Sequence, residues 1–139
     1  MPDFEPIKIT GIIEEEVSRP RNDGTRGSAL YNVPFQLSRF PPSEWADLFP
    51  REWDHPPQFS TMHRPGICRV ENNTIWLKGT TLEEVADVHR ETLLLVLEET
   101  NKKYAAILSK RSAEQEKRRI QQAAHEAHVS EVAKKIKFD

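Results

Sequence analysis

The feature that most constrains the fold is a long amphipathic segment at residues 80–108. Its apolar residues recur at intervals of three and four, which is the pattern of a helix with one buried face. Thr80 with Glu83, or Thr81 with Glu84, has the spacing of a capping box, which marks the first turn of a helix. The sequence therefore predicts one helix over residues 80–108.

The middle of this helix is apolar on every side, because residues 93–97 read Leu-Leu-Leu-Val-Leu. A sheet can cover only one face of a helix, so Leu94 and Leu95 need another part of the chain or a partner to cover them. Large exposed apolar patches mark interaction surfaces. We therefore predict Leu94 and Leu95 as interaction residues.

Four strands are predicted before the helix. Residues 5–17 and 29–39 alternate between apolar and polar side chains, and the alternation slips at Gly11, which is typical of a β-bulge. Pro34 cannot donate a backbone hydrogen bond, which favours an edge position for the second strand. Residues 67–71 and 74–78 flank two asparagines and predict a tight hairpin.

A short helix is predicted between the two pairs of strands. Ser43 can cap it, residues 44–49 form it, and Pro50 ends it. The order β-β-α-β-β-α predicts an α+β fold, in which one long C-terminal helix packs on a mostly antiparallel four-stranded sheet. Residues 1–108 are predicted as this α+β domain and residues 109–139 as a charged helical extension.

The charge is unevenly distributed between these two parts. The 139 residues carry a net charge of −2, whereas the extension holds eight basic and five acidic residues, a net of +3. The extension is rich in good helix formers but has a thin apolar stripe. It is expected to extend the main helix, to pair with a copy of itself, or to fray.

Nothing in the sequence indicates secretion or membrane insertion. Cys68 is the only cysteine, so no disulfide can form within the chain. The N-terminus lacks the apolar core of a signal peptide, and no apolar run reaches the 18 or so residues of a membrane span. We expect a soluble cytoplasmic protein with no membrane association.

The leading functional hypothesis is a small non-enzymatic protein-interaction module. It would associate with itself, as a homo-oligomer, or act as a subunit of a larger assembly through its long helix. The sequence contains no glycine-rich phosphate loop and no nucleophile motif. We predict no catalytic residue, no metal site and no cofactor.

A first alternative is nucleic-acid binding. Residues 18–28 form a glycine- and arginine-containing loop between two strands, and basic side chains can bind phosphate. An aromatic side chain could add stacking on a base. The residues of this alternative are Arg19, Arg21, Arg26, Arg51 and Trp53, together with the basic extension.

A second alternative is a small metal-dependent or acid–base hydrolase. His55 and His63 lie close to Glu52 and Asp54 in an irregular region, and such groups are the components of acid–base sites. His89 lies on the apolar stripe of the predicted helix, and we interpret it as a core histidine with a satisfied hydrogen bond. Whether these histidines converge depends on the fold.

Overall fold

The computed structural model of the chain describes residues 4–138. The chain divides into two compact units, one formed by residues 5–104 and another that contains residues 105–138. The first unit holds a four-stranded sheet, a short helix and the beginning of a long helix. The α+β class predicted from the sequence is confirmed.

The sheet is antiparallel throughout. Its strands are β1 (Ile9–Ile12), β2 (Tyr31–Leu37), β3 (Cys68–Glu71) and β4 (Thr74–Thr80), in the spatial order β1-β2-β4-β3. The register between β1 and β2 shifts between Ile9 and Gly11, so the bulge predicted at Gly11 is confirmed. The β3–β4 hairpin is also confirmed, and Asn72 takes a positive φ of 54° in its turn.

The prediction that Pro34 lies at a sheet edge is wrong. Strand β2 lies between β1 and β4. The carbonyl of Pro34 accepts a hydrogen bond from the amide of Ile13 at 3.1 Å, so the missing donor of Pro34 lies on the β1 side, where β1 ends at Ile12. An interior strand therefore tolerates this proline because its neighbour is short.

Helix α1 (Ser43–Asp54) is longer than the predicted helix over residues 44–49. Pro50 lies inside it instead of ending it, and Pro42 occupies the N-cap position with no side-chain hydrogen bond. The predicted cap at Ser43 is therefore wrong. A proline inside a helix costs about 3 kcal/mol. The complete burial of Trp53, beyond the proline, helps to offset that cost.

The long helix runs without interruption through three segments: α2 (Leu82–Glu84), a π-helical turn (Val85–His89) and α3 (Arg90–Lys135). The predicted helix is confirmed and continues through the extension, giving 54 helical residues. Thr81 caps it, because its hydroxyl accepts a hydrogen bond from the Glu84 amide at 3.1 Å. The Glu84 carboxylate turns towards other partners.

The core of the 5–104 unit lies between one face of the sheet, helix α1 and the long helix. The pairs Val33–Leu77 and Phe35–Ile75 place buried side chains side by side on neighbouring strands. The long helix contributes buried side chains at the spacing predicted for its apolar stripe. These are Val85, His89, Leu93, Val96, Leu97, Thr100 and Tyr104.

Asn101 fastens the long helix to the start of the sheet. Its side-chain oxygen accepts hydrogen bonds from the Ile7 amide at 3.1 Å and from the Trp45 indole at 3.0 Å. Its amide nitrogen donates to the Ile7 carbonyl at 2.8 Å. One side chain therefore joins three parts of the fold and orients the helix relative to β1.

The unit that contains residues 105–138 is helical up to Lys135, and its residues beyond 112 are exposed. Ion pairs one helical turn apart support this helix, for example Glu116 with Arg119 and Glu131 with Lys135. Its larger apolar side chains remain open to solvent; they are Ile120, Val129, Val132, Ile136 and Phe138. The predicted boundary at residue 108 remains a prediction.

Candidate functional site

An apolar groove of about 410 Å³ lies between the β1 edge of the sheet and the start of the long helix. Strand β1 (Ile9–Ile12) and Phe35 form one wall. The side chains of the helical wall are mostly apolar, and within the described lining only Arg90 carries a charge. The helical residues are Leu82, Val85, Ala86, Arg90, Leu93 and Leu94.

The rim of this groove is an exposed apolar patch. Leu94 is 45% exposed, Leu82 is 39% exposed and Ile12 is 38% exposed. The three side chains line one groove, so their exposed surfaces form one patch. Contiguous exposed apolar surface of this kind is typical of interaction sites.

The neighbouring sheet edge is only partly available for pairing. Within residues 4–138, β1 pairs with β2 alone, so its other side presents unpaired backbone groups. The strand has only four residues, and the bulge between Ile9 and Gly11 interrupts their regular spacing. Short and bulged edges are poor templates for an added strand, so the side chains of the groove dominate this surface.

Leu95 lies on a different side of the helix from the groove. It lines a smaller recess of about 180 Å³ together with Phe59, Asp87 and Glu91. Leu95 is 36% exposed, so both predicted leucines remain open to solvent in this chain. The structure nevertheless separates them into two surfaces, and only Leu94 belongs to the larger apolar one.

A polar cluster behind the helix start is organised by the Glu84 carboxylate. Both of its oxygens accept hydrogen bonds from the Arg64 guanidinium, at 2.7 and 2.8 Å. The Thr80 hydroxyl donates to it at 2.9 Å, and the His89 ring nitrogen Nε2 lies 3.4 Å away. The Arg64 hydrogen bonds are the largest cause that lowers the pKa of Glu84 to about 2.

Two of the three candidate histidines converge in this cluster. The rings of His63 and His89 both pack on Trp53, with centroid distances of 4.5 and 5.4 Å. His63 Nε2 donates to the Trp53 carbonyl at 2.8 Å, which leaves the His63 Nδ1 atom without a hydrogen-bond partner in the described chain. His55 lies exposed at the end of α1.

His89 only partly matches the interpretation of a satisfied core histidine. It is fully buried, and its Nδ1 atom has no hydrogen-bond partner within residues 4–138. Burial lowers its pKa from the usual 6.5, because the charged imidazolium is poorly solvated there. The described residues contain no group of three His, Cys, Asp or Glu side chains placed to hold a metal ion.

The structure disperses the residues of the nucleic-acid alternative. The loop arginines Arg19, Arg21 and Arg26 are exposed between β1 and β2. Arg51 lies on α1, which packs against β3 at the other edge of the sheet. Trp53 is fully buried, and its indole N–H donates to the Arg64 carbonyl at 2.8 Å, so its ring is not available to stack on a base.

Sequence reasoning identified Leu94 but not the other residues of the groove rim. Ile12 and Leu82 looked like ordinary strand and helix residues, since only the fold places them beside Leu94. Arg90 carried one usable signal, because it lies four residues before Leu94 and so shares a helical face with it.

Comparisons with models of protein families, with curated proteins and with solved structures found no match to this chain. No helix among residues 4–138 is both long and apolar enough to cross a membrane.

Proposed function

We propose that this chain is a protein-interaction module that binds its partner through the groove beside Leu94. The observation that carries the proposal is the exposure of Leu94 on the rim of a 410 Å³ groove, next to the exposed side chains of Leu82 and Ile12. Burying such a patch against a partner is the main favourable term in most protein association.

The size of the patch limits what it can achieve alone. Complete burial of a leucine or isoleucine contributes about 1.5–3 kcal/mol, and each of the three rim residues has already lost more than half of its exposure. Covering the rest therefore gains about 1 kcal/mol per residue. Association costs at least about 4 kcal/mol in lost freedom, so a stable complex needs further contacts around the rim.

Site-specific photo-crosslinking tests this proposal. A photoreactive phenylalanine analogue replaces Leu94 in the full chain, and the same analogue replaces Glu71 as a control. Glu71 ends β3, at the opposite edge of the sheet from β1. After irradiation in the cells that produce the protein, adducts are separated and identified by mass spectrometry.

We expect defined adducts at position 94 that position 71 does not give. These can be a foreign protein or a second copy of the chain. If both positions give the same background, no partner covers Leu94 and the proposal is wrong.

A further inference from the structure

We infer that the partner at this surface is a second copy of the chain, and that the two copies pair their long helices in antiparallel orientation with Leu94 on the two-fold axis. This inference rests on the proposed function, because it uses the same surface. The order of charges along the helix supports this pairing. A two-fold interface must be complementary to itself, since each contact between two residues occurs twice.

The helical ridge that contains Leu94 has this property. Residues four apart in an α-helix lie on one ridge, about 6 Å apart along the axis. Arg90 lies one step before Leu94 on the ridge, and Glu98 lies one step after it. Opposite charges therefore flank the exposed leucine symmetrically.

Both charged side chains are available for a partner. Arg90 and Glu98 are exposed, and neither side chain forms an ion pair within residues 4–138. When two such ridges run antiparallel about Leu94, Arg90 of each copy lies opposite Glu98 of the other. The two resulting ion pairs enclose the contact between the leucines.

The groove supplies the apolar part of the same contact. Leu94 and Arg90 lie on its helical wall, so a helix that runs along this ridge also lies over the rim formed by Leu82 and Ile12. Packed helix axes are about 8–10 Å apart, so the partner helix covers the exposed surface of Leu94 and of the groove rim beside it. An extended strand is a poorer occupant, because β1 is short and bulged.

Charge-reversal variants of the full chain test the geometry, with sedimentation velocity as the measurement. The wild-type chain is expected at twice its 16.1 kDa mass. Arg90→Glu opposes glutamates at both ion-pair positions, and Glu98→Arg opposes arginines there. Each variant alone is expected to raise the dimer dissociation constant on the order of 10–100-fold.

Mixing the two variants makes the decisive sample. In a heterodimer of Arg90→Glu with Glu98→Arg, both ion-pair positions again bring opposite charges together. Native mass spectrometry of the mixture is therefore expected to show mainly the heterodimer. The absence of a preference for the heterodimer would overturn the antiparallel arrangement.

Leu94→Glu tests the apolar contact, and Leu95→Glu is its matched control. Both residues are exposed, so neither substitution disturbs the core, and circular dichroism verifies the fold. Leu94→Glu is expected to be monomeric and Leu95→Glu dimeric. The inference is overturned if Leu94→Glu remains dimeric or if Leu95→Glu dissociates the dimer equally.

A monomeric wild-type chain across the whole concentration range would also overturn the inference. The proposed function would survive that result if position 94 still crosslinks to a foreign protein. Failure of both experiments would remove the proposed function as well.

Discussion

Replacing Glu84 with glutamine is the sharpest test of how the long helix is held at its start. Glutamine keeps the shape of the side chain but removes the charge that accepts two hydrogen bonds from Arg64 and one from Thr80. Arg64 is then left partly buried without its counter-charge. Loss of one partner of such a pair costs more than the pair itself contributes.

The magnitude follows from the pKa of Glu84, which folding lowers from 4.5 to about 2. A decrease of that size corresponds to about 3.4 kcal/mol of stability at pH 7. The Arg64 side chain is 37% exposed, and water screening reduces this to about 2–3 kcal/mol. Because the pKa is lower in the folded state, the stabilisation is present above pH 4.5 and is lost as the pH falls towards 2.

The assay is urea unfolding of the wild type, Glu84→Gln and Glu83→Gln at pH 7 and pH 3, at constant low ionic strength. Glu83 is the neighbouring exposed residue of the same turn, and its substitution is expected to change stability by less than about 0.5 kcal/mol. The free-energy deficit of Glu84→Gln is expected to fall to about half between pH 7 and pH 3. Equal stability of the two variants at pH 7, or a deficit at pH 3 that is as large as the deficit at pH 7, would refute this reasoning.

Three further predictions concern other parts of the fold. His89→Phe should reduce the loss of thermal stability between pH 7 and pH 5. Burial lowers the pKa of His89, so the wild type has its full stability above pH 6.5 and loses stability as acid charges the imidazole. An equal loss in both proteins would contradict this. Asn101→Ala should cost about 2–4 kcal/mol and speed hydrogen exchange at the Ile7 amide, since it removes hydrogen bonds to Ile7 and Trp45; unchanged exchange would count against the fastening role. A chain ending at Leu108 should keep the urea midpoint of the full chain, because most of the removed residues are exposed, and a lower midpoint would contradict the predicted domain boundary.

The sheet and the long helix were predictable because their signals are local. Alternation over β2 (Tyr31–Leu37) and the three-and-four spacing after Thr81 each reflect one buried face of one element. The double asparagine between β3 and β4 fixed a turn and therefore a register. Such patterns involve only residues that are close together in the sequence, so they can be recognised without knowledge of the fold.

In helix α1, packing outweighs the local rule that a proline ends a helix. Pro50 is unfavourable inside a helix, and on that ground the predicted helix ended before it. Trp45, Phe49 and Trp53 are nevertheless all fully buried on this helix. Burial of three large aromatic side chains outweighs one lost backbone hydrogen bond, and that comparison requires knowledge of what covers them.

The candidate site was predictable only in part for the same reason. That the sheet alone does not cover Leu94 and Leu95 followed from the all-round apolar run, because one sheet cannot cover every side of a helix. That the two leucines face different recesses depends on where β1 and the segment around Phe59 lie. The hydrogen bond between Arg64 and Glu84 joins residues 20 positions apart, and no periodic pattern in the sequence predicts it.

The π-helical turn changes the direction in which the side chains before it point relative to those after it. The Arg90 amide donates to the Val85 carbonyl, five residues back, so this turn contains one residue more than an α-helix would use. Each helical residue turns the chain by about 100°. Deleting one residue within the turn would therefore rotate Glu84 by about that angle relative to Leu93.

The two ends of that turn have separate attachments: Glu84 binds Arg64 before it, and Leu93 is buried after it. A uniform α-helix would have to give up one of them. The extra residue thus rotates the start of the helix relative to the rest, so that one continuous helix keeps both attachments. A chain shortened by one residue in this turn would lose either the contact of Glu84 with Arg64 or the burial of Leu93.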